Sequence, residues 1–244
     1  MKLKGKTAVI TGGTKGLGKA LCLRFAEEGA QVALCGRSVD LINRARLELS
    51  TYGVRVLAEQ CDISDADQVQ SFAEHVLEEF STIDVLINNA ALLGPRVPIA
   101  EYSTVRWDHV LQVNVHGLFY VTKTFLPAMI HQRSGSIINV ASSVGKQGRA
   151  GWGAYAVSKF ALEGFTQTLA EEVGTQGIRV NSVNPGAMAT EMRSAAHPGE
   201  DPSTLRPPSS ATEVFVYLAS DASRHVTGQY LEAQQFTLTP KEPV

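Results

Sequence analysis

Ser142, Tyr155 and Lys159 bring a hydroxyl, a phenol and an ammonium into one short stretch of chain. The serine ends an apolar run, and the tyrosine and lysine follow on what reads as a single helix. At a spacing of four they share a helix face, so the ammonium can approach the phenol oxygen. A free phenol titrates near about 10, too high for easy proton exchange at neutral pH. An adjacent cation stabilises the phenolate and lowers that value, which would equip Tyr155 as a general acid or base. Tyr-x-x-x-Lys also occurs in helices that catalyse nothing, so the pair acquires meaning only from the elements around it.

Those elements alternate. Short apolar runs at 7–10, 32–35, 54–58, 85–88, 137–141 and 180–183 read as buried strands. Helical patterns fall between them at 16–29, 40–52, 66–80, 104–132 and 154–174, with a further helix near 212–220 and a short run near 230–231. Leu17, Leu21 and Phe25 repeat every fourth residue and give the first helix an inward face. This rhythm predicts an α/β fold: a Rossmann-type doubly wound parallel sheet of about seven strands with helices on both faces. Ligands of such sheets bind beyond the carboxyl ends of the strands, and that is where the polar signals lie.

The first signal is Thr11-Gly12-Gly13-Thr14-Lys15-Gly16-Leu17-Gly18, between the first strand and the first helix. Glycines there let the backbone turn tightly and approach a pyrophosphate, and the helix amino terminus attracts its charge. Gly12, Thr14, Lys15, Gly16, Leu17 and Gly18 are the candidate contacts, although the spacing is neither Gly-x-Gly-x-x-Gly nor a phosphate loop, and a structural turn is the other reading. At the end of the second strand an acid would bind the free 2′-hydroxyl of NAD. Here the chain reads Cys35-Gly36-Arg37-Ser38. Arg37 can pair with a 2′-phosphate, with Ser38 beside it and Lys15 in reach, so NADP(H) is expected in preference to NAD(H). A solvated surface arginine is the alternative.

At 244 residues and 44% hydrophobic content the chain can bury one large core, and a single domain over 1–244 is expected. The net charge of −2, without a basic stripe, argues against nucleic acid or an anionic membrane as partner. Cys22, Cys35 and Cys61 are odd in number and widely spaced, which suits small buried hydrophobes in a reducing compartment. The six histidines show no ligand spacing, so no metal site is expected. No signal-peptide core or membrane-length apolar run is visible, and a cytoplasmic location is expected.

Taken in order, the glycine turn, Asn88-Asn89-Ala90, Ser142, Tyr155 and Lys159 resemble the short-chain dehydrogenase/reductase family over nearly the whole chain. The resemblance implies a catalytic tetrad of Asn114, Ser142, Tyr155 and Lys159. Ser142 would hydrogen-bond a carbonyl oxygen and Tyr155 would protonate it. Lys159 would lower the tyrosine pKa and bind the nicotinamide ribose, and Asn114 would help hold a proton relay. On its own residues Asn114 reads as a helix-interior amide satisfied locally. The resemblance also assigns Asp62 and Ile63 to the adenine, Asn88 and Ala90 to the floor beneath the cofactor, and Pro185, Gly186, Met188 and Thr190 to the nicotinamide side. Read locally, Asp62 and Thr190 can equally cap turns. Ala91 stands where the family usually has glycine, and Thr227 to Gln234 lacks the frequent Asp-Gly-Gly, an end that many members use in tetramer contacts. A homodimer or homotetramer is expected.

The segments Gly148-Arg149-Ala150-Gly151-Trp152-Gly153-Ala154-Tyr155 and His197-Pro198-Gly199-Glu200-Asp201-Pro202 are similar to a poorly characterised, YciK-like bacterial branch of that family. Between 190 and 212, prolines at 198, 202, 207 and 208 rule out a long helix, which suggests either a substrate lid or a fixed surface connection. Leu92, Leu93, Trp152 and Met192 are the candidate substrate pocket. The expected function is NADPH-dependent hydride transfer between the nicotinamide and a carbonyl/alcohol pair. A 3-oxoacyl-thioester reductase is the alternative within enzymes, and a non-catalytic NADP(H)-sensing protein the alternative outside them.

Overall fold

The computed structural model describes residues 1–237, so residues 238–244 of the expected 1–244 domain lie outside the described residues. Seven parallel strands form one sheet: β1 (Thr7–Thr11), β2 (Gln31–Gly36), β3 (Val56–Gln60), β4 (Val85–Asn88), β5 (Gly135–Val140), β6 (Ile178–Asn184) and β7 (Tyr230–Glu232). Their order is β3-β2-β1-β4-β5-β6-β7, so the chain reverses its direction of winding between β1 and β4. That switch point opens a crevice at the carboxyl ends of the strands.

Period-two alternation sends neighbouring side chains to opposite layers. Ile10 of β1 faces a core with α1 (Gly16–Glu27), α2 (Val39–Ser50) and α8 (Glu213–Ala219), whereas Val9 faces α3 (Ala66–Glu79), α5 (Leu118–Gln132) and α6 (Gly153–Val173). Leu17, Leu21 and Phe25 fill the first layer as their spacing predicts, and Phe72, Phe125 and Val173 the second. Each such side chain removed from water contributes about 1.5–3 kcal/mol, which holds the helices against the sheet and fixes where their ends point.

The third strand runs Val56–Gln60 rather than 54–58. Pairing starts at Val32 with Val56, and because β3 is an edge, polar Glu59 and Gln60 are tolerated at its end. The expected helix over 104–132 is instead α4 (Thr104–Leu111), a π-helical turn at Gln112–Gly117 and α5. The wider turn inserts an extra residue and rotates Asn114 toward the loop after β4. The segment 190–212 forms a short helix α7 (Glu191–Ala196) and 3-10 turns at Pro202–Thr204 and Pro208–Ala211.

Candidate active site

The glycine turn after β1 is drawn onto the end of β4. Asn89 Nδ2 donates to the carbonyls of Thr11 at 2.9 Å and Gly12 at 3.2 Å, while the Thr11 hydroxyl accepts from the main chain of Asn89 and Ala90. Gly12 has φ of +66°, and a Cβ on Gly18 would stand 2.1 Å from the Gly12 carbonyl oxygen, so both positions require glycine. Helix α1 starts with no capping side chain and no acid in its first turn, whereas α3 is capped by Asp65. The uncapped N–H groups and the positive end of the α1 dipole therefore face the crevice, where an anion would satisfy them.

A cleft of about 1120 Å³ opens over these strand ends, with room for a dinucleotide and a substrate. Gly12, Thr14, Lys15, Gly16, Leu17 and Gly18 line one end of it, together with Arg37, Ser38, Asp62 and Ile63. Arg37 is exposed and has no ion-pair partner among the described residues, and the sequence at the end of β2 offers no acid. Lys15 instead reaches across the cleft mouth to Glu191 of α7 at 2.6 Å. Asp62 both lines the cleft and accepts from the Ser64 main chain and hydroxyl, so its two sequence readings coexist. Thr190 likewise lines the cleft while capping α7 through Arg193 N. These residues fit a phosphorylated dinucleotide: an uncapped helix end for the pyrophosphate and a free guanidinium for a further phosphate.

The other end of the cleft holds Ser142, Tyr155 and Lys159, and Ala90, Leu92, Leu93, Trp152, Met192, Pro185, Gly186 and Met188 also line it. Two expected positions fall elsewhere. Asn88 does not line the cleft; its Nδ2 donates to Thr122 at 3.0 Å and to Asn139 at 2.9 Å, because the last residue of β4 points into the layer under α5. Asn139 in turn donates to Thr166 of α6, so this network ties α6 to the sheet. Asn114 is neither locally satisfied nor at the cleft wall. Its side chain accepts from Leu92 N at 2.7 Å and donates to Leu92 O and Ser158, so it clamps the pocket loop to α6.

Lys159 is buried, its Nζ lying 2.7 Å from the Val140 carbonyl at the end of β5 and 5.5 Å from the centre of the Tyr155 ring. Burial in this environment acts against the expected lowering of the phenol pKa by the lysine. Burial pushes Tyr155 up to about 12, opposed by a hydrogen bond with Ser142. Burial also pushes Lys159 down to about 8, with Glu163 pulling the other way. Desolvation disfavours the charged form of each group.

Asn89, Arg149 and Arg193 line the cleft although no site role was expected of them, and so do Cys35 and Cys61, expected only as buried hydrophobes. Cys22, Cys35 and Cys61 are free and buried as expected. Among the described residues no cluster could hold a metal ion, and no helix is long and apolar enough to cross a membrane.

Comparison with known proteins gives concordant results. The family model for short chain dehydrogenases matches residues 6–201. The uncharacterised oxidoreductase YciK of Escherichia coli (strain K12) is 36% identical over 237 residues, covering 95% of this chain and 93% of its own length. The 3-oxoacyl-[acyl-carrier-protein] reductase FabG of Thermotoga maritima is 37% identical over 239 residues, covering 95% and 97%. A Shigella flexneri short chain dehydrogenase, solved as a complex with NADP, superposes with a TM-score of 0.92 at 35% identity, covering 96% of this chain and 98% of that one.

Proposed function

The chain belongs to the short chain dehydrogenase family and is an oxidoreductase, and from that premise we propose that it reduces a ketone or aldehyde with NADPH. The observation that carries this reading is that Ser142, the buried Tyr155 and Lys159 line one cleft with an uncapped helix amino terminus. When bound, the nicotinamide supplies the hydride. Gly12 to Gly18 receive the pyrophosphate and Arg37 with Ser38 the 2′-phosphate, a preference supported by the relative solved with NADP. Ser142 and Tyr155 hold the carbonyl oxygen, and the Tyr155 phenol gives it a proton as negative charge develops there. Lys159 orders the nicotinamide ribose while anchored on Val140, and Asn114 fixes the pocket loop through Leu92.

The segment 190–212 acts in this reading as a lid, latched over the cofactor by the Lys15–Glu191 pair. The test is a panel of ketones and aldehydes followed through NADPH absorbance, with NADH in parallel. Turnover of at least one class with NADPH preferred supports the assignment; tight NADPH binding without turnover of any member would favour a sensing protein. A 3-oxoacyl-thioester reductase is the second reading, favoured by the similarity to FabG, and 3-oxoacyl thioesters on acyl carrier protein belong in the same panel.

A further inference from the structure

The substrate end of the cleft carries an unbalanced positive charge. Arg149 and Arg193 line it beside Trp152, and Arg96 lies behind Trp152 with its guanidinium 4.1 Å from the centre of the indole. Arg96 is fixed on both sides: Nε donates to the Gly151 carbonyl at 3.0 Å and Nη1 to the Ala196 carbonyl at 2.9 Å. It therefore joins the turn bearing Arg149 and Trp152 to the end of α7. His197 also packs against Trp152, with ring centres 5.9 Å apart and the planes tilted by 53°. Burial and the fields of Arg193, Arg96 and Arg149 hold its pKa below the usual histidine range against the pull of Glu200.

Three guanidinium groups thus converge where a single carboxylate answers them. Glu200 neutralises Arg193 through two contacts of 2.6 Å. Glu191 is taken by Lys15. Arg149 has no side-chain hydrogen bond or ion pair among the described residues, yet it lines the same cleft as Ser142 and Tyr155. Its turn is shaped by glycine at +74° on Gly151 and +33° on Gly153, so the backbone that aims it is specified rather than incidental. A free guanidinium in a cleft is matched best by a planar or tetrahedral oxyanion, which accepts two of its N–H groups at once.

We infer that the carbonyl substrate carries an oxyanion, a carboxylate or a phosphate ester, on the side remote from the reacting carbonyl, and that Arg149 receives it. Arg96 is a positioning residue that holds the Arg149–Trp152 turn through Gly151. The inference rests on the reading of Ser142 and Tyr155 as the carbonyl end. It narrows the hydrophobic pocket of Leu92, Leu93, Trp152 and Met192 to the middle of the substrate, with charge recognised at the rim.

The test separates binding from turnover. Methyl-keto acids of increasing chain length, their methyl esters and matching keto phosphate esters are titrated by calorimetry into the protein with saturating NADP⁺. At one or more lengths the anionic compounds should bind at least about tenfold more tightly than the neutral esters, the size of one charge-assisted contact. Arg149→Ala should collapse that ratio toward one, and Arg149→Lys should keep part of it. Whichever anion shows the larger ratio identifies the oxyanion. Equal binding of acids and esters, a ratio untouched by Arg149→Ala, or binding confined to thioesters on acyl carrier protein would overturn the proposal. Reduction of the esters by NADPH alongside that result would leave the carbonyl-reductase reading standing. Anion binding that depends on Arg149, with no compound reduced, would support the anion site and refute the reductase.

Discussion

Gly18→Ala tests how tightly the cofactor end is built. The added methyl would lie 2.1 Å from the Gly12 carbonyl oxygen and 2.5 Å from Asn89 Nδ2, the nearer contact about 1 Å inside the closest approach such atoms make. Neither neighbour is free to yield, because Asn89 holds the Thr11 and Gly12 carbonyls. Overpacking costs roughly 1–3 kcal/mol and weakening the Asn89 hydrogen bonds about another 1 kcal/mol. For a chain of this size the melting temperature should fall by about 5–12 °C. A turn displaced by roughly 1 Å loses at least one charge-assisted contact with pyrophosphate, so NADPH should bind about ten- to a hundredfold more weakly. The matched control is Gly164→Ala in α6, where nothing lies within 4 Å of the new methyl. There alanine should raise stability by about 0.5–1 kcal/mol and leave NADPH affinity as it was. The measurements are thermal melts and NADPH fluorescence titrations of both variants. A folded Gly18→Ala protein that binds NADPH like the wild type would refute the reasoning.

Arg37→Ala should weaken NADPH by about ten- to a hundredfold with little change for NADH, and equal losses for both in titrations would remove the 2′-phosphate assignment. Lys159→Met should separate stability from function. Below about 8 the folded protein carries a buried ammonium that the unfolded chain holds without strain, so the wild type bears the full burial penalty. That penalty is relieved as pH rises from about 8 toward 10.5. The variant should therefore be about 1–2 kcal/mol more stable than wild type at pH 7, after allowing for the lost Val140 bond, and the difference should shrink above pH 8 while turnover is lost. Denaturant melts across pH that show the variant less stable at neutral pH would contradict this.

The strands and the glycine turn were legible because their apolar runs and turn residues are local signals, and the sheet order then follows from few topologies. The π-helical turn was not, since one extra residue inside 104–132 leaves a pattern close to a continuous helical period. Alternation alone cannot tell which of Asn88 and Asn89 turns inward once the strand ends between them. Arg96, Trp152 and the end of α7 meet only through tertiary packing, so the seat of Arg149 had no local mark beyond the glycines around it. The Tyr155–Lys159 spacing did predict a shared face. It could not reveal that both groups leave water, so that burial acts against the expected pKa shift, or that the ammonium is drawn to Val140.

Proton donation by Tyr155 is most directly tested in the Tyr155→Phe variant, by titrating NADPH and following a single turnover of a substrate that the wild type reduces. Loss of the phenol should leave NADPH affinity within about twofold and slow the chemical step by about 10²–10⁴-fold, the range a positioned proton donor supplies. A single-turnover rate close to wild type, with NADPH bound equally well, would contradict the account.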